Sequence, residues 1–156
     1  MVHVNDLARV CSVIKIMTNR KLAYIVKDQK PLVLSADETV QHACRSMWER
    51  RTGSVLVVDS QQRLKGIFTG RDAVRLLAKG EDAAATLLAK AMTPKPVTVT
   101  PDSRAIDALR AMSDGGFRHV PVIEDGSICG VVSRADFTGI EIDRLDEEEH
   151  LCECIR

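Results

Sequence analysis

Two short segments of the chain place a hydroxyl side chain three residues before an aspartate. The first, GIFTGRD, contains Thr69 and ends at Asp72, and the second, GVVSRAD, contains Ser133 and ends at Asp136. In both segments the hydroxyl residue follows an apolar run of strand type, so each turn leads from a strand into a helix. A carboxylate in such a turn can accept hydrogen bonds from two vicinal hydroxyls, such as those of a ribose.

A helix that begins at each of these turns also favours an anion. The first N–H groups of a helix lack partners within the helix and carry the positive end of its dipole. Arg71 and Arg134 stand inside the two turns and each add a cation. An aspartate that can bind a ribose lies beside cationic groups that can bind a phosphate. This combination indicates a nucleotide-binding site.

The same spacing has a structural interpretation. Ser or Thr followed three residues later by an acidic residue forms a capping box, in which the hydroxyl residue caps the helix and the acid bonds back to its backbone N–H. The sequence pattern alone does not separate ligand binding from capping.

The two turns belong to an internal repeat. Residues 31–59 align with residues 96–124 at a constant offset of 65, so that Pro31 and Met47 recur as Pro96 and Met112. After a one-residue deletion the alignment continues through both turns. The chain therefore contains two copies of one unit, and the repeat determines the fold.

Each copy predicts a β-α-β-β-α unit. A short apolar run leads into a segment with apolar residues at helical spacing, which in the first copy are Val40, Cys44, Met47 and Trp48. Two β-branched runs and a second helix follow in each copy. The predicted fold class is mixed α/β, of the α+β kind, with an additional N-terminal helix and an acidic C-terminal helix or tail.

These elements divide the chain into five parts. We expect an N-terminal helical extension at 1–21, the first repeat at 22–80, a connector with a short helix at 81–95, the second repeat at 96–140 and the acidic helix or tail at 141–156. Apolar residues recur at helical spacing from Leu7 to Met17. The extension is therefore either a packing helix over a sheet or dimer surface, or a partner-recognition helix.

Composition and charge exclude several classes of protein. The 156 residues are 45% hydrophobic and 28% charged, which suits a globular chain with its own core. Lys and Arg together number 22, as do Asp and Glu, so no net charge attracts nucleic acid or a membrane. The five cysteines are not spaced as a disulfide framework, and no apolar run is long enough for a signal or a membrane span. We expect a cytoplasmic protein with neither nucleic-acid nor membrane partners.

The sequence contains no motif typical of catalysis. It has no Walker A sequence, no G-x-S-x-G, no H-E-x-x-H and no G-x-G-x-x-G after a strand, so we expect no catalytic residues and no enzyme. His150, Cys152 and Cys154 are close together, but zinc sites need four ligands, and positions two apart on a helix point to different faces. We therefore expect no metal ion and no obligatory cofactor.

The repeated unit resembles a tandem pair of cystathionine β-synthase (CBS) domains of the stand-alone bacterial type, often called a Bateman module. The resemblance covers roughly residues 22–140 and rests on the duplicated turns and on the string FRHVPV at 117–122. It implies two small three-stranded sheets, each with two helices, packed about a pseudo-twofold axis with two clefts between the copies. It also implies a homodimer.

The resemblance further implies a set of ligand contacts. Asp72 and Asp136 would bind ribose hydroxyls, and Thr69 and Ser133 would touch the ribose or a phosphate. The base would lie against Ser35, Ala36, Val55 and Val57 in one cleft and against Thr100, Pro101, Val120 and Val122 in the other.

The resemblance also implies that basic residues before the second strand of a repeat can reach phosphates, which here implicates Arg118 and His119. The first repeat has Gly53 and Ser54 at these positions, so we expect the two clefts to differ in affinity. His119 also has a structural interpretation, because a histidine before an apolar strand can be a packed residue whose neutral ring offers only a hydrogen bond.

Two functions remain open from the sequence. One is a non-catalytic regulatory module that binds an adenine nucleotide and signals its occupancy to an effector on another chain. AMP, ADP and ATP fit best, and NAD(H) and S-adenosylmethionine contain the same adenosine. The other is a constitutive interaction or scaffold protein with vestigial clefts.

Overall fold

The fold is known from a computed structural model that describes the backbone of residues 20–154 and side chains up to residue 146. The predicted N-terminal helix therefore lies outside the described residues. The elements are, in chain order, α1 (Leu22–Val26), β1 (Val33–Ser35), α2 (Val40–Arg50), β2 (Ser54–Val58), β3 (Leu64–Thr69), α3 (Gly70–Ala78), α4 (Leu88–Ala91), β4 (Thr93–Pro94), α5 (Ala105–Gly115), β5 (His119–Glu124), β6 (Ser127–Ser133) and α6 (Gly139–Cys154). The predicted α+β class with two related units is confirmed.

The first repeat forms a four-stranded sheet with the order β1-β2-β3-β4. Strand β1 pairs in parallel with β2, and β2 pairs antiparallel with β3 so that Val55 lies opposite Phe68. All five residues of β2 are buried, and in the same unit helix α2 packs against β2 and helix α3 packs against the neighbouring strand β3. Helix α2 begins after Thr39, whose side chain accepts a hydrogen bond from the N–H of His42 at 3.2 Å.

The sheet of the second repeat is reduced. Strands β5 and β6 pair antiparallel, and the counterpart of β1 is only a parallel bridge between Val99 and Val122. The three-stranded sheets implied by the resemblance are thus replaced by one sheet of four strands and one of two strands with a bridge.

The second helix of the second repeat differs from the prediction. A 3₁₀ turn, Arg134–Asp136, follows β6, and α6 begins only at Gly139. The physical reason is a second capping box. The carboxylate of Glu141 accepts hydrogen bonds from the N–H of Thr138 at 2.7 Å and from the Thr138 hydroxyl at 3.2 Å, which favours a helix that begins after Thr138. The acidic C-terminal segment therefore continues a helix that packs Leu145 into the core.

One of the four apolar residues that the sequence placed at helical spacing in α2 does not lie on its buried face. Val40, Ala43 and Met47 are buried, whereas Trp48 is 85% exposed. Consecutive helical residues are rotated by about 100° around the axis, which places Trp48 beside the face that Met47 occupies and not within it.

Each repeat completes its core with a short helix that precedes the other repeat. Leu22 and Val26 of α1 are buried in the core of the second repeat, and Leu88 and Ala91 of α4 are buried in the core of the first. As a result, residues 27–32 and 92–97 pass from one repeat to the other, and we call them the first and second crossing segments.

Two glycines at equivalent places in the repeats permit these crossings. A Cβ atom on Gly130 would lie 2.7 Å from the Oε1 of Gln29 and 2.7 Å from the Cβ of Val26 at the end of α1, and one on Gly66 would lie 2.8 Å from the backbone oxygen of Thr93. Any larger residue at either position would push the crossing chain away from the strand.

A partly buried ion pair fixes the start of the described chain to the second repeat. The carboxylate of Glu141, which is fully buried, accepts hydrogen bonds from the Nε of Arg20 at 3.2 Å and from its Nη2 at 2.9 Å. The same Nη2 donates to the backbone oxygen of Asp136 at 2.9 Å. A buried carboxylate without such a partner would be strongly destabilising. Through its bond to the Asp136 backbone, Arg20 also holds the turn that contains Asp136.

The exchange of helices makes a prediction about stability. Leu88 is fully buried in the core of the first repeat, whereas its neighbour Leu87 is 36% exposed. We expect Leu88→Ala to lower the free energy of unfolding by about 2–5 kcal/mol, measured by urea denaturation. The control Leu87→Ala should cost less than about 1 kcal/mol. Equal effects of the two substitutions would contradict the placement of α4 in this core.

Candidate functional site

Two cavities lie where the repeats meet, at places related by the internal repeat. Cleft 1, of about 570 Å³, is lined by the turn that holds Asp72, by residues 95–97 and by residues 117–119. Cleft 2, of about 290 Å³, is lined by Ser133 and Asp136, by residues 29–32 and by residues 50–54. Each cleft thus combines one hydroxyl–aspartate turn, one crossing segment and the start of the second strand of the opposite repeat.

Asp72 in cleft 1 forms the capping arrangement that the sequence allowed. One carboxylate oxygen accepts hydrogen bonds from the N–H of Thr69 at 2.9 Å and from its hydroxyl at 2.8 Å. The other oxygen pairs with the guanidinium of Arg75 at 2.9 Å, and Asp72 is 5% exposed. Capping and ligand binding are compatible here, because each carboxylate oxygen can accept more than one hydrogen bond.

Asp136 in cleft 2 caps its own turn in the same way but lacks the arginine. One oxygen accepts hydrogen bonds from the N–H of Ser133 at 2.6 Å and from its hydroxyl at 2.8 Å. The other oxygen has no partner among residues 20–146, and Gly139 stands where the first repeat has Arg75. The two aspartates therefore differ in charge environment although their capping is alike.

Cleft 1 gathers basic side chains from both repeats. Arg71 lines it and donates a hydrogen bond to the backbone oxygen of Gly116 at 2.9 Å, which links α3 to the end of α5. Arg118 and Lys95 also line the cleft. Against one carboxylate, these cations give cleft 1 a positive character suited to phosphate groups.

The crossing segments supply site residues that the sequence analysis missed. Lys95 and Pro96 line cleft 1, and Lys30 and Pro31 line cleft 2. A signal was present, since the offset of 65 that relates Pro31 to Pro96 also relates the two lysines. Phe117 was likewise overlooked, although it precedes Arg118 and lines cleft 1.

His119 lies between the two clefts. It lines both cavities, and its Nε2 atom is 3.1 Å from the position of a Cβ on Gly53, which lines both cavities too. Burial lowers the pKa of His119 below its usual value, the charge of Arg118 acts in the same direction, and the carboxylate of Asp136 opposes them. The neutral ring is therefore favoured at this junction.

The predicted base-contacting residues are absent from the linings of both clefts. Val55, Val57, Val120 and Val122 are fully buried in the two cores. The remaining four, which are also absent from the linings of both clefts, are Ser35, Ala36, Thr100 and Pro101.

The other predicted contacts are divided between the clefts. Cleft 1 contains Thr69, Arg71, Asp72, Arg118 and His119, and cleft 2 contains Ser133, Asp136 and again His119. Arg134 is exposed and lines neither cleft. Within the described part of the chain, no cluster of metal-ligating side chains is found and no helix is long and apolar enough to cross a membrane. The side chains of Cys152 and Cys154 lie outside that part.

The position of His119 predicts a pH dependence of stability. Because its pKa is lowered on folding, the unfolded chain binds a proton more readily, and the free energy of unfolding should fall as the pH drops below the ordinary histidine value of about 6.5. Urea denaturation between about pH 7.5 and 5.5 should show a larger loss for the wild type than for His119→Gln. Identical pH dependence of the two proteins would contradict a destabilised imidazolium at this position.

Comparison with known proteins agrees with the duplicated architecture. The family model for the CBS domain matches residues 25–79 and 88–141. The CBS domain-containing protein CBSCBSPB2 of Arabidopsis thaliana is 42% identical over 125 residues, which make up 80% of this chain and 23% of that protein. The chain therefore spans less than a quarter of the length of this relative.

Solved structures share the fold. The CBS domain protein PAE2072 from Pyrobaculum aerophilum, complexed with AMP, has a TM-score of 0.74 at 21% identity, covering 82% of this chain and 99% of that one. The CBS domain pair of protein MJ0100, in complex with 5′-methylthioadenosine and S-adenosyl-L-methionine, has a TM-score of 0.69 at 21% identity, covering 83% and 98%. With two matched copies that span most of the described residues, the chain belongs to the CBS domain family as a tandem pair.

Proposed function

We propose that this CBS pair is a non-catalytic regulatory module that binds an adenine nucleotide in cleft 1. The observation that carries the proposal is the meeting of Asp72, from the first repeat, with Arg118, from the second, in one cavity of about 570 Å³. A cavity of this size lies within the range of small-molecule sites, which is about 300–1,000 Å³.

The lining of cleft 1 matches the three parts of a nucleotide. Pro96, Val97 and Phe117 offer apolar surface to a base, and Val97 is 53% exposed. The carboxylate of Asp72 is an acceptor for ribose hydroxyls. Arg118, together with other cations in the cleft, is a donor for phosphate oxygens through charge-assisted hydrogen bonds.

The choice of an adenine nucleotide is supported by relatives of the same fold. PAE2072 is complexed with AMP and the MJ0100 pair with two adenosine derivatives. AMP, ADP and ATP carry negatively charged phosphate groups that suit the cations of cleft 1, as does the pyrophosphate of NAD(H), whereas S-adenosylmethionine has no phosphate. NAD(H) and S-adenosylmethionine are alternatives that the same titration tests.

Ligand binding in cleft 1 can be converted into a signal. The cleft contains groups from both repeats, so a ligand that contacts both favours one relative arrangement of the repeats over others. We propose that an effector on another chain responds to this arrangement. The cytoplasmic location and the absence of nucleic-acid and membrane partners stay predictions.

A substitution at Arg118 tests the phosphate contact. We expect Arg118→Ala to weaken ATP binding by about tenfold or more while adenosine binding changes little, since a charge-assisted hydrogen bond contributes about 1.5–3 kcal/mol. Isothermal titration calorimetry measures both affinities. Arg134→Ala is the matched control, because Arg134 lines neither cleft.

The same titrations distinguish the possible failures. Equal weakening of adenosine and ATP by Arg118→Ala would make Arg118 a packing residue. Asp72→Ala should weaken every adenosine ligand by about tenfold, and an unchanged affinity would restrict Asp72 to capping. The absence of heat with any of these ligands at millimolar concentration would favour the scaffold function with vestigial clefts.

We also propose that the chain forms a homodimer through the outer faces of α2 and α3. These helices pack on each other and expose Trp48 at 85%, Leu77 at 72% and Val74 at 65%, and large apolar side chains exposed on adjacent helices suit an interface. Light scattering should give twice the chain mass of 17.2 kDa. Trp48→Arg should reduce this mass, whereas Tyr24→Arg, at an exposed aromatic residue of α1, should not. A wild-type mass of 17.2 kDa would contradict the proposal.

A further inference from the structure

We propose that cleft 2 is a site for a small inorganic oxyanion of the phosphate class and not a second nucleotide site. This inference rests on the proposed function in one respect, the assignment of the nucleotide to cleft 1. It makes the protein a module that responds to two chemically different ligands.

The size and lining of cleft 2 disfavour a nucleotide. Its volume of about 290 Å³ is close to half that of cleft 1. Its apolar residues are Pro31, Leu32 and Val131, of which Leu32 is only 7% exposed. The exposed aromatic and aliphatic surface that Phe117 and Val97 give to cleft 1 has no equivalent here, so a purine base would find little to pack against.

Cleft 2 instead concentrates cations from two elements. Lys30 is brought by the first crossing segment, and Arg50 and Arg51 stand at the end of α2. The guanidinium of Arg50 donates a hydrogen bond to the backbone oxygen of Lys30 at 2.6 Å, which joins the two elements. The side chains of Lys30 and Arg51 make no hydrogen bond or ion pair with the residues that the structure describes. They are available for an oxyanion.

The other polar groups of cleft 2 define its chemistry further. Asp136 is the one carboxylate among the described residues of the lining, and it opposes an anion, but three cations outweigh it. Ser54, also in the lining, is 2% exposed, and its hydroxyl has no hydrogen-bond partner among the described residues. A buried donor without a partner is costly, and an oxyanion is an acceptor that can satisfy it.

Arg51 occupies a backbone conformation that usually requires glycine. Its φ is 51°, and the equivalent residue of the second repeat is Gly116, with a φ of 65°. A left-handed conformation is unfavourable for a residue with a Cβ atom, so arginine at this position is disadvantageous for the fold itself. A role of its side chain in cleft 2 explains why an arginine stands there.

This conformation permits a test in which binding and stability change in opposite directions. Calorimetric titration of the full chain with inorganic phosphate, with cleft 1 saturated by AMP, should show one phosphate site per chain. Arg51→Gly should weaken phosphate binding by about tenfold, while the melting temperature stays equal or rises. The matched control is Gln62→Gly, which replaces a residue with a φ of 60° outside both clefts and should leave phosphate binding unchanged.

The outcomes separate this inference from the proposed function. Repeating the phosphate titration without AMP, in the Arg118→Ala background, tests cleft 2 even if the chain binds no nucleotide. Phosphate binding that is lost in Arg118→Ala but kept in Arg51→Gly would place the anion in cleft 1 and overturn the inference. A second AMP per chain whose affinity depends on Arg51, or no phosphate heat at millimolar concentration, would overturn it as well.

Discussion

Leu22 and Val26 are buried in the core of the second repeat, and Leu88 and Ala91 are buried in the core of the first, so each repeat depends on a helix that precedes the other. This exchange carries the two crossing segments between the repeats. It places Lys30 and Lys95 in the two clefts. Burial of apolar side chains outside the clefts therefore determines which charged side chains line them.

The two clefts begin from the same geometry and differ through single substitutions between the repeats. Both aspartates cap their own turns through one oxygen, but in the part of the chain that the structure describes only Asp72 has an arginine on the other. Arg118 in the second repeat corresponds to Gly53 in the first, which leaves room for His119 to reach both cavities. The two repeats thus build clefts with the same backbone arrangement, and the side chains that line the clefts make them chemically unequal.

Much of this fold could be predicted from the sequence because the repeat and the β-branched runs are local signals. The positions of β2, β3, β5 and β6 follow from them. The exchange of helices could not be predicted, since the apolar spacing of α1 and α4 fits either repeat equally well. The burial of Trp48 was wrongly predicted for a related reason, because spacing alone does not distinguish the centre of a buried helix face from its edge. The clefts depend on which chain segments cross, so Lys30 and Lys95 were missed, although the offset of the repeat contained them.

The two proposed sites are chemically unequal, and the nucleotide is assigned to cleft 1. This assignment can be tested with a crystal structure of the chain grown with AMP. We expect one AMP per chain, with its ribose hydroxyls at the carboxylate of Asp72 and its phosphate beside Arg118. An AMP in cleft 2 with cleft 1 empty, or AMP bound in the same way in both clefts, would contradict it.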